Sequence, residues 1–165
     1  MGLAVEGVGV RAMAVRLYVP ALANGRFPVR HTADGLDLSP SLEVLELPDR
    51  AEALAFYMVD PDAPGGLFTH WLAFDLPATR HRLMEGTPRS RFGADGLRQA
   101  KNDFGWLGYG GPNPPLRETH RYELVALALC GPTKLGADAS LGDLLRVVRG
   151  IELARAEVTA TYGRD

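Results

Sequence analysis

Cysteine is nearly absent from this sequence, because its 165 residues contain only Cys130. One cysteine excludes an intrachain disulfide, and its position in the apolar run LVALALC predicts a buried, unreactive thiol. A reducing compartment is therefore expected. A chain of this length can bury a stable core without disulfides or a structural metal.

An excess of positive charge is also absent, since 18 Lys and Arg against 20 Asp and Glu give a formal net charge of -2. Proteins that bind nucleic acid need a basic surface to neutralise phosphates, so no nucleic-acid partner is predicted. No apolar run approaches the roughly 20 residues of a membrane-spanning helix. The N-terminal segment lacks the features of a secretory signal, and Glu6 stands where a myristoylation signal has Ser or Thr. We expect a single cytoplasmic domain over residues 1–165.

Glycine and proline are abundant instead, with 19 and 12 residues. They divide the chain into short alternating or apolar segments, which is typical of a mainly β domain. Residues 78–101 carry five arginines and are interpreted as a long surface excursion. Strands with one polar face are predicted at 13–20 and 41–48, and strands buried on both faces at 53–60, 70–77 and 122–130.

The hydrophobic period changes after Pro132. Ser140 is placed to cap a helix that has Asp143 at its third position and ends near Gly150. The apolar face of this helix would consist of Leu141, Leu144, Leu145 and Val148. A second helix is predicted from Ile151 towards Tyr162.

Two segments rich in proline and glycine place polar residues at strand ends. They are DPDAPGGLFTH from Asp60 to His70 and GYGGPNPPLRETHRY from Gly108 to Tyr122. If 53–60 and 70–77 are neighbouring strands, Asp60 and His70 can face each other at about 5 Å between Cβ atoms. Asp60 would then fix the tautomer of His70 and raise its pKa. His120, at the start of the third buried strand, would reach the same end of the sheet.

Such loops can offer histidine and backbone amide donors, because proline fixes their conformation and glycine allows close approach of a ligand. A small anion such as a phosphate head group or a carboxylate is the predicted guest. In the alternative interpretation, Asp60 bonds its own turn and both histidines are structural. The residues alone leave both interpretations open.

Several other polar and aromatic side chains are given structural roles. Trp71 is predicted to be a core aromatic, and Arg121 is predicted to form a structural salt bridge on the opposite face from His120. Asp62 would brace its own turn. His31 and His81 lack any motif and are interpreted as surface residues.

The two segments resemble the signatures of the phosphatidylethanolamine-binding protein family, especially its bacterial Raf-kinase-inhibitor-like branch. The resemblance rests on DPDAP followed by His70-Trp71 and on GYGGPNPP followed by His120-Arg121-Tyr122, and GLDLSPSL and LARAEVTATYG extend it over most of the chain. It implies a β-sandwich of two sheets with short peripheral and C-terminal helices, and a pocket for phosphate, acetate or phospholipid head groups. The pocket positions that it implies are Asp60, His70, Tyr109, Pro114, Pro115 and His120.

The chain departs from the family pattern at four positions. Arg117 stands two residues after the double proline, where glycine is usual, and Asp37 replaces the usual asparagine. Val44 occupies a common tryptophan position and Asn113 a frequent cysteine position. These departures bear on the size and ligand preference of the pocket more than on the fold.

Three functions are compatible with these observations. The first is non-catalytic binding of a small anion or phospholipid head group, such as phosphate or phosphoethanolamine, with His70 and His120 as donors. The second is inhibition or modulation of a kinase or protease through the surface around the pocket or residues 78–101. The third is an enzyme that uses Asp60 and His70 in acid–base chemistry.

No metal or other cofactor is predicted. Asp60, Asp62, His70 and His120 lack the short helical or CxxC-type spacing of metal ligands, and no serine lies in a nucleophile elbow. A homodimer is compatible with the edge strands of a sandwich, but no segment identifies its interface.

Overall fold

The computed structural model describes residues 14–165. The predictions made for the N-terminal segment, including the signal and lipidation interpretations and a strand start at Met13, lie outside the described residues. Within 14–165, no helix has the length and apolar character needed to cross a membrane.

The described chain is built mainly from antiparallel strands. Short 3-10 helices lie at Pro20–Leu22, Val29–His31, Ala78–Arg80 and Ala94–Gly96, and one α-helix, α1, spans Leu141–Val148. The strands are β1 Arg16–Tyr18, β2 Leu42–Leu45, β3 Ala53–Asp60, β4 Phe68–Pro77, β5 Arg82–Leu83, β6 Arg98–Gln99, β7 Thr119–Leu129 and β8 Glu152–Gly163.

The strands form two packed sheets. The larger sheet has the order β6-β4-β3-β7-β8 and the smaller sheet the order β1-β2-β5. Leu42 and Val44 of the smaller sheet share a core cluster with Leu54 and Phe56 of β3. This arrangement confirms the predicted mainly β sandwich of two sheets.

The central position of β3 explains its continuous apolar sequence. Leu54 and Phe56 face the smaller sheet, whereas Ala53 and Ala55, on the opposite parity, belong to a second cluster with Leu144 of α1. Both faces of the strand are therefore covered, and seven of its eight residues are buried.

Helix α1 begins as predicted. The Ser140 hydroxyl accepts a hydrogen bond from the Asp143 amide at 3.1 Å, and the Asp143 carboxylate accepts one from the Ser140 amide at 2.9 Å. Leu144 and Val148 are the buried residues of the helix. The capping box and the apolar stripe together define the start and orientation of α1.

The second predicted helix, from Ile151 towards Tyr162, is wrong, because this segment forms β8. It pairs with β7 from Thr119↔Gly163 to Leu129↔Glu152. Exposed Arg155, Glu157 and Thr159 alternate with core-facing residues, which are Ala154, Ala156, Val158 and Ala160. The period of two and the pairing along β7 outweigh the helix propensity of Ala, Glu and Arg.

Two burial predictions are also wrong. His31 was expected at the surface but is buried, and its Nδ1 lies 2.8 Å from the Leu38 carbonyl oxygen. Cys130 is only partly buried, because β7 ends one residue before it. The surface excursion over 78–101 is mostly exposed, but near its end Leu97 and Gln99 enter the interior and β6 joins the larger sheet.

Candidate binding pocket

A cavity of about 180 Å³ lies where the end of β3 meets the beginnings of β4 and β7. Its lining residues are Asp60, Ala63, Pro64, Phe68, His70, Phe104, Asn113, Pro115 and His120. A larger depression of about 320 Å³ lies beside Arg26 and Arg164, but Arg164 is already paired with Asp34. We place the candidate site in the smaller cavity, because a buried carboxylate and two buried histidines meet there.

Asp60 connects the first loop to His120. Its Oδ2 lies 2.8 Å from His120 Nδ1, and its Oδ1 accepts a hydrogen bond from the Asp62 amide at 2.8 Å. Asp60 and His120 are each 4% exposed. The carboxylate therefore both closes the turn after β3 and orients a histidine, which combines the two interpretations that the sequence left open.

The predicted pairing of Asp60 with His70 is wrong. The β3–β4 register shifts twice, between Leu54 and Phe56 and between Met58 and Val59, so the partner of Asp60 is Phe68, which lies two positions before His70. A bulge of this kind cannot be read from strand parity, because one extra residue re-aims every side chain beyond it.

His70 is held by the second loop instead. Its Nδ1 lies 2.7 Å from the Gly110 carbonyl oxygen, so Nδ1 carries the proton and donates. Burial lowers the pKa of His70 despite this bond, which favours the neutral ring. Among the described residues none bonds Nε2, which in the neutral ring is a hydrogen-bond acceptor. Phe68, Phe104 and Tyr122 approach the ring edge-on at centroid distances of 5.0–5.3 Å.

His120 has the opposite electrostatic environment. Its Nδ1 faces Asp60, and its Nε2 lies 2.9 Å from Oε2 of Glu118. Burial alone would lower its pKa, but the hydrogen bonds to these two carboxylates raise it. Because both ring nitrogens face acceptors, the arrangement favours the doubly protonated imidazolium.

Glu118 is a contact that the sequence interpretation missed. In an extended segment, side chains two residues apart point to the same side. Glu118 is therefore expected on the same side as His120, at the same end of the sheet. This signal was available in the sequence.

The second loop is fixed from outside the pocket by Asp37. Its Oδ1 accepts a hydrogen bond from the Gly111 amide at 2.7 Å, and Oδ2 pairs with Arg89. The Arg89 Nε and the Trp106 indole both donate to the Tyr109 carbonyl oxygen, at 2.9 and 3.1 Å. The departure from asparagine at position 37 thus supplies a carboxylate that joins the loop to an arginine.

The loop glycines serve packing. A Cβ atom on Gly110 would lie 2.5 Å from the Phe104 ring, and one on Gly111 would lie 2.3 Å from the His31 carbonyl oxygen. At both positions the absence of a side chain lets the loop pack directly on the body of the protein.

Two of the predicted pocket residues do not line the cavity. Tyr109 is 1% exposed and its hydroxyl donates to the His31 carbonyl oxygen at 2.6 Å. Pro114 is buried, and its carbonyl oxygen accepts a hydrogen bond from Arg164 at 3.0 Å. Both residues hold the loop. The cavity wall includes the predicted Pro115 together with Phe68 and Phe104, two aromatic residues that the sequence analysis did not assign to the site.

The remaining structural roles can be read directly. Trp71 is buried in the core, with its indole donating to Gln99 at 2.8 Å, as predicted. Arg121 forms the predicted salt bridge, with Asp62 at 2.8 Å. Arg117 has a φ of 65°, a left-handed conformation that favours glycine. Over residues 14–165, no group of three or more His, Cys, Asp or Glu is arranged to hold a metal ion.

The fold and the pocket define the class: a two-sheet β-sandwich in which two proline-rich loops gather a carboxylate and two histidines at one end of the larger sheet. The chain belongs to the phosphatidylethanolamine-binding protein family, whose model matches residues 20–163.

Individual relatives agree with this assignment. A UPF0098 protein of Aquifex aeolicus is 36% identical over 154 residues, which cover 92% of this chain and 90% of the relative. A UPF0098 protein of Archaeoglobus fulgidus is 38% identical over 142 residues, and the match spans 86% of this chain but only 48% of that longer relative. The crystal structure of Escherichia coli YbcL, described as a new member of the mammalian PEBP family, superposes with a TM-score of 0.83 at 26% identity, covering 92% of this chain and 99% of YbcL.

Proposed function

We propose that this protein binds a small anion, such as phosphate or the phosphate head group of a lipid, in the pocket between His70 and His120. The observation that carries the proposal is the buried His120, whose Nδ1 is held by Asp60 at the cavity wall. An imidazolium oriented in this way presents its second N–H as a charge-assisted donor, which is the group that binds an anionic oxygen most strongly.

The neutral His70 adds a second requirement for the ligand. Its Nε2 accepts hydrogen bonds, so the best guest offers an anionic oxygen to His120 and a donor to His70. The protonated oxygen of a phosphate monoanion meets this requirement, and so does the ammonium group of phosphoethanolamine. This refines the prediction from sequence, in which both histidines were donors.

The walls of the cavity favour such contacts. Phe68, Phe104 and Pro115 line it, and a site with apolar walls strengthens the interaction of charges inside it. Leu67 and Leu116 each neighbour a lining residue and are 57% and 72% exposed, which supports a lipid as the source of the head group.

The proposal is tested by calorimetric and phosphorus NMR titration with inorganic phosphate, phosphoethanolamine and a short-chain phosphatidylethanolamine. We expect saturable binding that weakens at least about tenfold in His70→Ala and His120→Ala, since a hydrogen bond to a charged group contributes about 1.5–3 kcal/mol. His81→Ala removes a partly exposed histidine that does not line the pocket and is the matched control. Amide NMR spectra of each variant verify its fold.

Three results separate the outcomes. Tighter binding of the short-chain lipid than of the free anions would identify a lipid source. Tighter binding of inorganic phosphate would identify a free anion. No saturable binding by the parent protein, or equal binding by the parent and both pocket variants, would refute the proposal.

A further inference from the structure

The pocket already contains an anionic oxygen from its own chain. Oε2 of Glu118 lies 2.9 Å from His120 Nε2, which is the one ring nitrogen that Asp60 leaves available. A bound phosphate would need the same N–H. The carboxylate and the ligand therefore cannot both be bonded to Nε2.

The two carboxylates that contact His120 differ in how firmly they are held. The side chain of Asp60 is 6% exposed and is also fixed by the Asp62 amide. The side chain of Glu118 is 50% exposed, and among the described residues it has no charged partner besides His120. Glu118 can therefore leave the ring for solvent, whereas Asp60 cannot.

The backbone of Glu118 does not have to move for this exchange. Its amide donates to the Pro115 carbonyl oxygen at 3.2 Å, and its own carbonyl oxygen accepts from the Arg164 amide at 3.1 Å. These bonds fix the main chain on both sides of the peptide while the side chain remains half in solvent. A rotation of the side chain is sufficient to open Nε2.

We propose that Glu118 is an internal competitor that occupies the anion position on His120 and sets the affinity and selectivity of the pocket. The inference rests on the proposed function and deepens it. Glu118 lowers the affinity for every anion by competing for one N–H, and it repels dianions more than monoanions if it stays near the site. It thereby favours ligands of low charge and those that carry a cationic group.

The expected gain in phosphate affinity on removal of Glu118 follows from the solvent exposure of the ion pair between Glu118 and His120. Half-exposed ion pairs are screened by solvent and contribute about 0.2–1 kcal/mol, which is a factor of about 1.4 to 5. Loss of the like-charge repulsion adds to this factor, so a gain of about three- to tenfold in phosphate affinity is expected when the carboxylate is removed.

The test is a calorimetric titration of the full chain with inorganic phosphate at pH 7, comparing the parent, Glu118→Gln and Glu118→Ala. The glutamine keeps the shape and removes the charge, while the alanine also removes the oxygen that competes for Nε2. Glu157→Gln, which neutralises an exposed glutamate on β8, is the matched control. NMR titration of the His120 ring gives a readout without ligand, because loss of a carboxylate partner lowers the pKa of an imidazolium.

Both Glu118 variants are expected to bind phosphate about three to ten times more tightly than the parent and the control, with the His120 pKa lowered in each. Binding by Glu118→Ala together with none by the parent would support competition by Glu118 but would refute the proposed function of the parent protein. Saturable binding by the parent that is unchanged or weaker in both variants would overturn this inference and leave the proposed function intact. Absence of binding in all four proteins would overturn both.

Discussion

The ion pair between Asp60 and His120 makes a prediction about stability that is independent of any ligand. Both side chains are buried, and Asp60 also accepts a bond from the Asp62 amide. In Asp60→Asn, the amide oxygen can keep the bond to the turn, but the charge that faces Nδ1 is lost. Breaking a buried pair by removing one partner costs about 3–5 kcal/mol when the remaining charge has no other partner.

Here the remaining charge keeps one partner, because Glu118 still bonds Nε2 of His120. We therefore expect a loss of about 2–3 kcal/mol in the free energy of unfolding, below the full range for an uncompensated charge. For a domain of this size, 1 kcal/mol corresponds to about 2–4 °C, so the melting temperature should fall by about 4–12 °C. The pKa of His120 should fall at the same time.

Guanidinium unfolding followed by fluorescence measures the stability, and NMR titration of the ring protons measures the His120 pKa. Asp62→Asn is the matched control, since it neutralises a neighbouring carboxylate whose partner Arg121 is exposed, and its effect should be small. If Asp60→Asn unfolds at the same denaturant concentration as the parent and its His120 pKa is unchanged, the pair does not have the role assigned to it.

Three further predictions concern the loops and pH. Gly111→Ala should lower the free energy of unfolding, measured by thermal unfolding, by about 1–3 kcal/mol, because the new Cβ would lie 2.3 Å from a backbone carbonyl oxygen. The control Gly65→Ala has open space around it and should be nearly neutral. Arg117→Gly should raise stability by up to about 1 kcal/mol in the same assay, because it relieves a φ of 65°; a melting temperature below that of the parent would contradict this. The two histidines contribute to stability on opposite sides of about pH 6.5. Burial lowers the pKa of His120 but its two carboxylates raise it, so the stability due to His120 is complete below about pH 6.5 and is lost as the pH rises through the raised pKa. Burial lowers the pKa of His70, so the stability due to His70 is complete above about pH 6.5 and is lost as the pH falls through the lowered pKa. Urea unfolding from pH 5 to 8 should therefore show a maximum between the two titrations, and His70→Phe should shift this maximum to lower pH if His70 is neutral in the folded protein.

The expected effect of His70→Phe on the pH profile of stability has a direct physical reason. Phenylalanine fills the same aromatic environment but cannot be protonated, so the acid side of the profile would lose the contribution of His70. A variant that becomes less sensitive to acid fits the assignment, whereas an unchanged acid limb contradicts it.

Secondary structure was predictable where a segment carries a clear local pattern of apolar or capping residues. The apolar run of β3 and the capping box of Ser140 and Asp143 each determine their own local structure, and both occur as predicted. The segment of β8 failed because its alanines and charged residues have good helix propensity, and only pairing with β7 selects the strand.

The candidate site shows the same limit. The sequence indicated which residues meet, but two shifts in the β3–β4 register move Asp60 out of line with His70, and Asp60 bonds His120 instead. Contacts between distant segments, such as that of His31 with Glu85, have no local signal, and the burial of His31 is therefore not predictable from the sequence.

The two oxygens of Asp60 have a consequence for how the pocket can change during evolution. One oxygen closes the turn after β3 and the other holds His120, so a substitution there alters folding and binding together. Exposed Asn113 and half-exposed Glu118 reach the pocket from a loop that other residues hold in place. New ligand preferences can therefore arise at positions 113 and 118 without loss of the fold, while position 60 stays fixed.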